Sequence, residues 1–351
     1  MKRVLIDIYK AKLPYSGLGQ FSIHLAKELQ KQSLTDIEFH FLYPESKHPL
    51  VPSEEQFLKA NWKTRYLPFT GPSYDLWHSL HQFPSHKPPR HTAQILTLHD
   101  LNFLKEKNKV KAKRYLHRLQ KNVNQAAVLT TISEFSKGEI EQNLQLHGKK
   151  IHVIHNGIQD IAGIQKQPPL GISNSAFLFT LGIFNAKKNF HSLLPMMLEL
   201  PNYKLIIAGD NETAYGSDIK RIISELGLEK QVILLGKISE QEKQWLYAKC
   251  EAMVFPSIAE GFGMPVIEAM QHGKLVICST YSALPEIGGE VARYFPSFDP
   301  SEMSKTVLTE LELFYKNIEL RELEARNYAR KFNWHECTNA YIKLYRECLQ
   351  L

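Results

Sequence analysis

Cysteine is scarce in this 351-residue chain, and the four present (Cys250, Cys278, Cys337 and Cys348) form no Cys-x-x-Cys pair and have no histidine at metal-ligand spacing. That excludes a disulfide scaffold and a zinc ribbon, and fits cysteines used as core filler in a reducing cytoplasm. Long apolar runs are missing as well: no stretch reaches the roughly 18 residues that a membrane-crossing helix needs. The opening MKRVLIDIY starts basic, but Asp7 interrupts its apolar stretch and no small-residue cleavage site follows. It reads as a buried first strand rather than a signal peptide, so a cytoplasmic location is expected. No Asp-x-Asp pair occurs, so no divalent metal on a diphosphate is expected, and no bound cofactor. The turn at Gly17–Phe21 lacks the third glycine of a dinucleotide fingerprint, and no acidic residue closes the next strand, which argues against a dehydrogenase. No Ser–His–Asp order, Cys–His arrangement, fixed-period repeat or low-complexity tract stands out.

What is there is basic charge, unevenly placed. Residues 1–165 hold 23 Lys+Arg against 14 Asp+Glu, whereas residues 166–351 hold 20 against 22; twelve of the fifteen histidines also lie in the first part. A basic half beside a near-neutral half suggests that the first half meets something anionic: a membrane surface, a phosphorylated acceptor or nucleic acid. The length exceeds one ordinary core and suits two domains.

The first half alternates strand-like segments (Arg3–Tyr9, Ile37–Tyr43, Gln94–Leu98, Ala127–Ile132, Ile151–His155) with helical patterns at Leu18–Gln30, Val110–Gln125 and Glu134–Leu146. The strands are apolar with little polar alternation, as strands buried on both faces should be. A break at Gly157–Ser175, with Pro168 and Pro169, reads as a domain linker. The alternation then restarts: strands Ala176–Leu181, Tyr203–Ala208, Gln231–Leu235, Ala252–Phe255 and Leu275–Cys278, with helices Asn189–Leu200, Ser217–Leu226, Glu240–Ala248 and Pro265–His272 between them. Such alternation implies right-handed crossovers and parallel sheets, an α/β class with two doubly wound Rossmann-like domains. From Ser301 the chain reads as helical, with Trp334, Tyr341 and Tyr345 on one helical face.

The most informative stretch is PSIAEGFGMPVIEAMQHGKLVICS, Pro256 to Ser279. A strand delivers the chain to Glu260; Gly261 and Gly263 permit positive φ and close backbone approach to a ligand; Pro265 suits the first helical position and Gly273 the helix stop. Loop and helix start together offer backbone N–H groups and a positive dipole end to an anion. Glu268, one turn into the helix, is placed to accept both hydroxyls of a ribose, and Glu260 those of a donor sugar. Against this stands a plain strand–turn–helix with two surface glutamates. A second basic turn, LGIFNAKKNF from Leu181 to Phe190, sets Lys187 and Lys188 where they can meet a diphosphate leaving group.

With these residues in hand, the chain resembles glycosyltransferase family 4, the retaining, mannosyltransferase-like group 1 transferases of GT-B fold. The glutamate, Gly-Phe-Gly-Met-Pro run and second glutamate match the family pattern without departure. LPEIGG (Leu284 to Gly289), IHNGI (Ile154 to Ile158) and TISEFS (Thr131 to Ser136) extend the match over nearly the whole chain. The resemblance implies two Rossmann-like domains facing a cleft: residues 1–165 on the acceptor side, 170–330 binding a nucleotide-sugar donor, and 331–351 a helix crossing back to the first domain. It implies donor contacts at Gly182, Lys187, Lys188, Gly261, Phe262, Gly263, Met264 and Glu268, with Glu260, His99 and Lys188 in catalysis. Lys187 stands where related sequences often carry arginine, which weakens any bidentate clamp. Gly17 and Gly19 take the role of a glycine loop near phosphates and acceptor, and His99, at the carboxyl end of a strand, sits beside the transferred sugar. His78 and His81 are weaker acceptor-side candidates.

The implied activity is retaining, metal-independent transfer of a mannose-like or glucose-like hexose to a saccharide or lipid-linked acceptor in surface polysaccharide or glycoconjugate synthesis. The alternatives are a nucleotide-sugar epimerase and a non-catalytic nucleotide-sugar binder. Nucleic acid is not an expected partner, because the basic segment Lys105 to Lys121 lacks aromatic interleaving and matches no recognised module. The Val110–Gln125 helix, carrying Lys111, Lys113, Arg114, Arg118 and Lys121, suggests peripheral contact with anionic lipid on the inner face of the membrane.

Overall fold

The structure is a computed structural model and describes residues 1–13, 16–44, 56–60, 72–89, 91–172 and 175–351. The chain divides into two compact units, Met1–Gln159 with Asn333–Leu351, and Asp160–Phe332.

Unit 1 is built on β1 (Lys2–Asp7), β2 (Ile37–Pro44), β3 (Phe57–Ala60), β4 (Leu76–Ser79), β5 (Ala93–Leu98), β6 (Val128–Thr131) and β7 (Ile151–Val153). Among the described residues they form one parallel sheet in the order β3-β2-β1-β4-β5-β6-β7. Along β1, Val4 and Ile6 enter one core cluster and Leu5 another on the opposite face, so the strand is apolar throughout. Helices α1 (Gly17–Gln30), α2 (Phe103–Glu106), α3 (Lys109–Gln125) and α4 (Glu134–Asn143) cover the faces. Their starts follow from side-chain caps that satisfy otherwise orphaned N–H groups: Ser16 on Gly19, Asn108 on Lys111, Ser133 on Ser136.

Unit 2 carries β8 (Phe177–Leu181), β9 (Lys204–Ala208), β10 (Val232–Gly236), β11 (Ala252–Phe255), β12 (Leu275–Cys278) and β13 (Arg293–Tyr294), parallel in the order β10-β9-β8-β11-β12-β13. Its helices are α5 (Leu193–Met197), α6 (Ala214–Glu225), α7 (Glu240–Lys249), α8 (Met264–Gln271), α9 (Leu284–Gly288), α10 (Pro300–Lys316) and α11 (Ile318–Ala329). The helix expected over Asn189–Leu200 is shorter: Asn189 takes a left-handed φ of 54°, and two 3-10 turns precede α5. The segment after Asp160 belongs to unit 2, where Gln167 N–H donates to the Gln241 carbonyl at 3.2 Å.

The last helix, α12 (Trp334–Leu349), packs its aromatic face into unit 1. Trp334 stacks on His24 at 5.4 Å, Tyr341 meets Phe21 at 6.4 Å and Tyr345 meets Phe39 at 5.9 Å. Beneath it runs a buried polar chain: His78 Nδ1 to the Tyr345 hydroxyl and His78 Nε2 to the Thr97 hydroxyl, both 2.8 Å, then Thr97 to Thr130 at 2.8 Å. His78 is therefore a core residue of β4, fully inside. Gly157 of the IHNGI segment is required by this docking, since a Cβ there would lie 2.3 Å from the Trp334 backbone nitrogen.

Candidate active site

In unit 2 the chain order along the sheet reverses between β8 and β11, which pair directly. Ligands of open parallel sheets sit at the carboxyl ends of such strands. Both strands there lead into the segments that the sequence singled out, and the two loops are stitched together. The Lys187 carbonyl accepts the Ile258 N–H at 2.8 Å.

Across this seam lies a half-buried ion pair. Lys188 Nζ donates to Glu260 Oε1 at 2.6 Å, and the Ser257 hydroxyl donates to the same oxygen at 2.6 Å. The Glu260 N–H is held by the Ser282 hydroxyl at 2.9 Å. Burial pushes the Glu260 carboxyl up, but the charge and hydrogen bond of Lys188, the Ser257 hydroxyl and nearby Lys187 outweigh it and hold it below the usual glutamate value. Gly182 makes the lane that the lysine occupies, for a Cβ there would sit 2.7 Å from Lys188 Cε. The ammonium lies 4.9 Å from the centre of the Phe255 ring.

Helix α8 begins beside this pair. Gly263 is its N-cap with φ 105°, no side chain caps the first turn, and the first helical residue is Met264 rather than Pro265, which comes second. A Cβ on Gly263 would also lie 2.7 Å from Leu284 Cδ2, so both conformation and packing demand glycine. Phe262 turns inward, its ring against Phe332 at 5.8 Å, and so anchors the loop. Glu268, one turn on, accepts Lys243 Nζ on Oε1 at 2.9 Å and the Tyr247 hydroxyl on Oε2 at 2.8 Å. Burial raises its carboxyl, and the Lys243 charge and these two hydrogen bonds more than reverse that, keeping it ionised. Each oxygen retains lone-pair capacity for a diol. Lys243 and Tyr247 were missed in the sequence. Their four-residue spacing puts them on one face of α7, but nothing local ties that face to Glu268.

The first-half candidates divide. His99 follows β5 and is buried: Nε2–H donates to the Leu80 carbonyl at 2.8 Å, and the ring stands edge-on to Phe21 at 4.9 Å. Burial drives its pKa down to about 4 against the smaller opposing effect of that bond, so it is a neutral imidazole with Nδ1 as the lone-pair nitrogen. Gly17 and Gly19 stand in the first turn of α1 rather than in a loop. Gly19 has a packing reason, since a Cβ would meet the Leu13 carbonyl at 2.0 Å, whereas among the described residues nothing lies within 4 Å of a Cβ on Gly17. On α3, Leu119 and Val123 are buried, and Tyr115 and Leu116 pack against the same core, leaving a basic outer face with Val110 as its exposed apolar residue. No helix among the described residues is long and apolar enough to cross a membrane.

Two parallel Rossmann-like units, the second with a basic, glycine-shaped site at its switch point, define the GT-B class. Residues 15–160 match the profile described as Glycosyltransferase Family 4, and residues 163–321 that of Glycosyl transferases group 1. The chain belongs to the group 1 glycosyltransferases, with a family 4 N-terminal half, and is an enzyme that transfers a glycosyl group. It is 24% identical to O-antigen chain mannosyltransferase B of Escherichia coli, over 98% of this chain and 99% of that one. It is 30% identical to O-antigen chain mannosyltransferase RfbU of Salmonella typhimurium, over 58% and 56%. Among solved structures, sucrose-phosphate synthase of Thermosynechococcus elongatus superposes with a TM-score of 0.75 at 15% identity, covering 99% of each chain. Anabaena HepE in complex with UDP and glucose gives 0.73 at 18%, covering 99% of this chain and 100% of that one.

The two glutamates are expected to fail differently. Glu268→Ala should weaken nucleoside diphosphate binding, since it removes a diol acceptor, whereas Glu260→Ala should chiefly lower turnover of the intact donor. Calorimetry with the nucleotide and steady-state kinetics separate the two; wild-type values for both variants would refute the assignment.

Proposed function

We propose that this enzyme transfers a mannose-like hexose from a nucleotide sugar to a saccharide or lipid-linked acceptor in surface-polysaccharide synthesis, with retention of configuration and without a metal. The observation that carries the donor site is the Lys188–Glu260 pair beside the uncapped start of α8. Lys188, Lys187 and the helix dipole supply positive charge where a departing diphosphate gathers negative charge, the main lever of electrostatic catalysis. Glu260 Oε2, which no described residue bonds, is a ready acceptor for a hydroxyl of the donor sugar. The bond from C1 to the diphosphate breaks with its electron pair on phosphate. The acceptor hydroxyl then attacks C1 from the same face, and its proton leaves with the diphosphate. The near full-length likeness to an O-antigen mannosyltransferase supports the sugar and the pathway class.

A panel of nucleotide sugars tests this reading. The true donor should raise the melting temperature, a ligand at about 100 times its Kd adding roughly 2.7 kcal/mol. Transfer should persist in EDTA, and NMR of the product should show the anomeric configuration of the donor. A strict need for magnesium or manganese would overturn the metal-free part, and an inverted product the retaining part. A changed nucleotide sugar released without acceptor would mark an epimerase.

A further inference from the structure

Glu268 is one corner of a closed polar network between α7 and the end of α8. On α7, Glu240, Lys243, Gln244 and Tyr247 are spaced by three, one and three residues, which places them on one helical face. Lys243 Nζ bridges two carboxylates, Glu268 Oε1 at 2.9 Å and Glu240 Oε2 at 3.2 Å. Gln244 Nε2 donates to Glu240 Oε1 at 2.5 Å, which turns the amide oxygen of Gln244 toward His272 Nε2 at 2.6 Å and makes that nitrogen the protonated one. His272 follows α8, one turn beyond Glu268, and its ring stacks on that of Tyr247 with centroids 5.9 Å apart and planes 19° apart. The Tyr247 hydroxyl closes the circuit on Glu268 Oε2 at 2.8 Å.

A lone carboxylate turns freely about its last bond. This one cannot, because a different helical residue holds each oxygen. Gln244 and Tyr247 are buried, and the Tyr247 ring is also fixed edge-on to Phe179 of β8 at 5.2 Å and 82°. A buried network in which every member has a partner is rigid. Lys243 on one oxygen and Tyr247 on the other therefore set the plane of the Glu268 carboxylate. Among the described residues each oxygen takes one donor, so each keeps a lone-pair direction free. Two such acceptors on one rigid group suit two adjacent hydroxyls. A ligand that lacks one of the pair leaves an acceptor without a donor, and sites built this way discriminate strongly.

We propose that Lys243 and Tyr247 are positioning residues: by locking Glu268 they make the enzyme select a nucleotide with a vicinal diol on its sugar, a ribonucleotide, over the 2′-deoxy counterpart. This rests on reading Glu268 as the ribose acceptor, and it goes further by naming the residues that give that acceptor its selectivity. Both act through Glu268 rather than on the nucleotide.

Calorimetry on the full-length enzyme with ADP, CDP, GDP and UDP, each beside its 2′-deoxy form, tests this. The wild type should bind its best ribonucleoside diphosphate roughly ten- to a hundredfold more tightly than the deoxy form, the worth of a hydrogen bond to a charged acceptor. Glu268→Ala should give the two forms the same Kd. Tyr247→Phe, which keeps the buried ring, should cut the preference severalfold. Lys243→Met should nearly erase it, and Lys243→Arg, which keeps the charge, should recover most of it. In each variant the ribo form alone should weaken. In turnover the donor KM should rise with kcat kept, because the ribose lies away from the reacting atoms and its loss is one of uniform binding. A merely structural role would weaken both forms alike, and that result overturns the proposal. Tyr247→Phe leaves every ion pair in place, so it decides even where Lys243→Met does not fold. If Glu268→Ala loses the preference while Tyr247→Phe and Lys243→Met keep it, the positioning role fails and the donor site stands. If the wild type binds none of the four, shows no preference, or keeps its preference in Glu268→Ala, the ribose reading of Glu268 falls and takes this one with it.

Discussion

Lys188→Ala is expected to lower turnover by about ten- to a thousandfold, the scale of losing one preorganised charge contact to a developing oxyanion. The variant removes two things at once. The leaving diphosphate loses a cation, and Glu260 loses what keeps it ionised, because burial is the largest influence on that carboxyl and acts upward. With Lys188 gone, Glu260 takes up a proton at higher pH than before and becomes a weaker, uncharged acceptor for a hydroxyl. The residual activity of Lys188→Ala should therefore rise with pH through a range in which the wild type is flat with respect to this group. Glu260→Gln should cost much less in the Lys188→Ala background than in the wild type, since residues acting as a unit are not additive. Gly182→Ala should shift activity the same way by displacing the lysine stem. A flat pH profile for Lys188→Ala, with additive losses in the double variant, would mean that the pair is only a surface contact.

Much of this arrangement was legible in the sequence, and the reasons it was or was not are physical. Strands buried on both faces show as unbroken apolar runs, so β1, β2, β5, β8 and β9 stand out. β4 does not, because it is four residues long and contains His78, whose burial depends on Tyr345 at the far end of the chain. The loops around Glu260 and Lys188 carried their meaning in glycine placement. Their meeting across 72 residues of chain is a tertiary fact. Lys243 and Tyr247 were illegible for the same reason. His99 was legible by its place after β5, but its neutrality was not, since that follows from the Leu80 carbonyl and the Phe21 ring closing around it. α5 is short because Asn189 is left-handed ahead of it, a conformation that the helical pattern hides.

Asp7→Asn should make unit 1 markedly acid-sensitive, with the loss of stability falling between pH 7.5 and 5.5. Three histidines set the direction. Burial first holds His78 and His81 down to about 3 and His99 to about 4, with His99 adding to the first two. Their pKa values in the unfolded chain are about 6.5, so below that pH the unfolded state binds more protons and stability falls with falling pH. Each fully buried neutral histidine then forfeits somewhat over ~1 kcal/mol by pH 5.5. His78 and His99 count in full and the partly exposed His81 less, giving roughly 3 to 4 kcal/mol, several hundredfold in the folding equilibrium. Asp7 has the opposite sign. With its folded pKa raised to about 7, the native state is the better proton binder between that value and the ordinary aspartate value. Acidification to pH 5.5 thus returns about 2 kcal/mol. The wild type should accordingly lose only about half of what the histidines alone would cost, and Asp7→Asn should lose all of it. The two units need not unfold together, so the signal should come from unit 1: with Trp245 of unit 2 replaced (Trp245→Phe), the buried Trp77 and Trp334 report it. Urea midpoints of that fluorescence at pH 7.5 and 5.5 test the sign. Equal losses in wild type and Asp7→Asn would show that Asp7 is ionised in the native state, and greater stability of Asp7→Asn at pH 5.5 than at 7.5 would show that the histidines are not the neutral, buried groups that their surroundings make them.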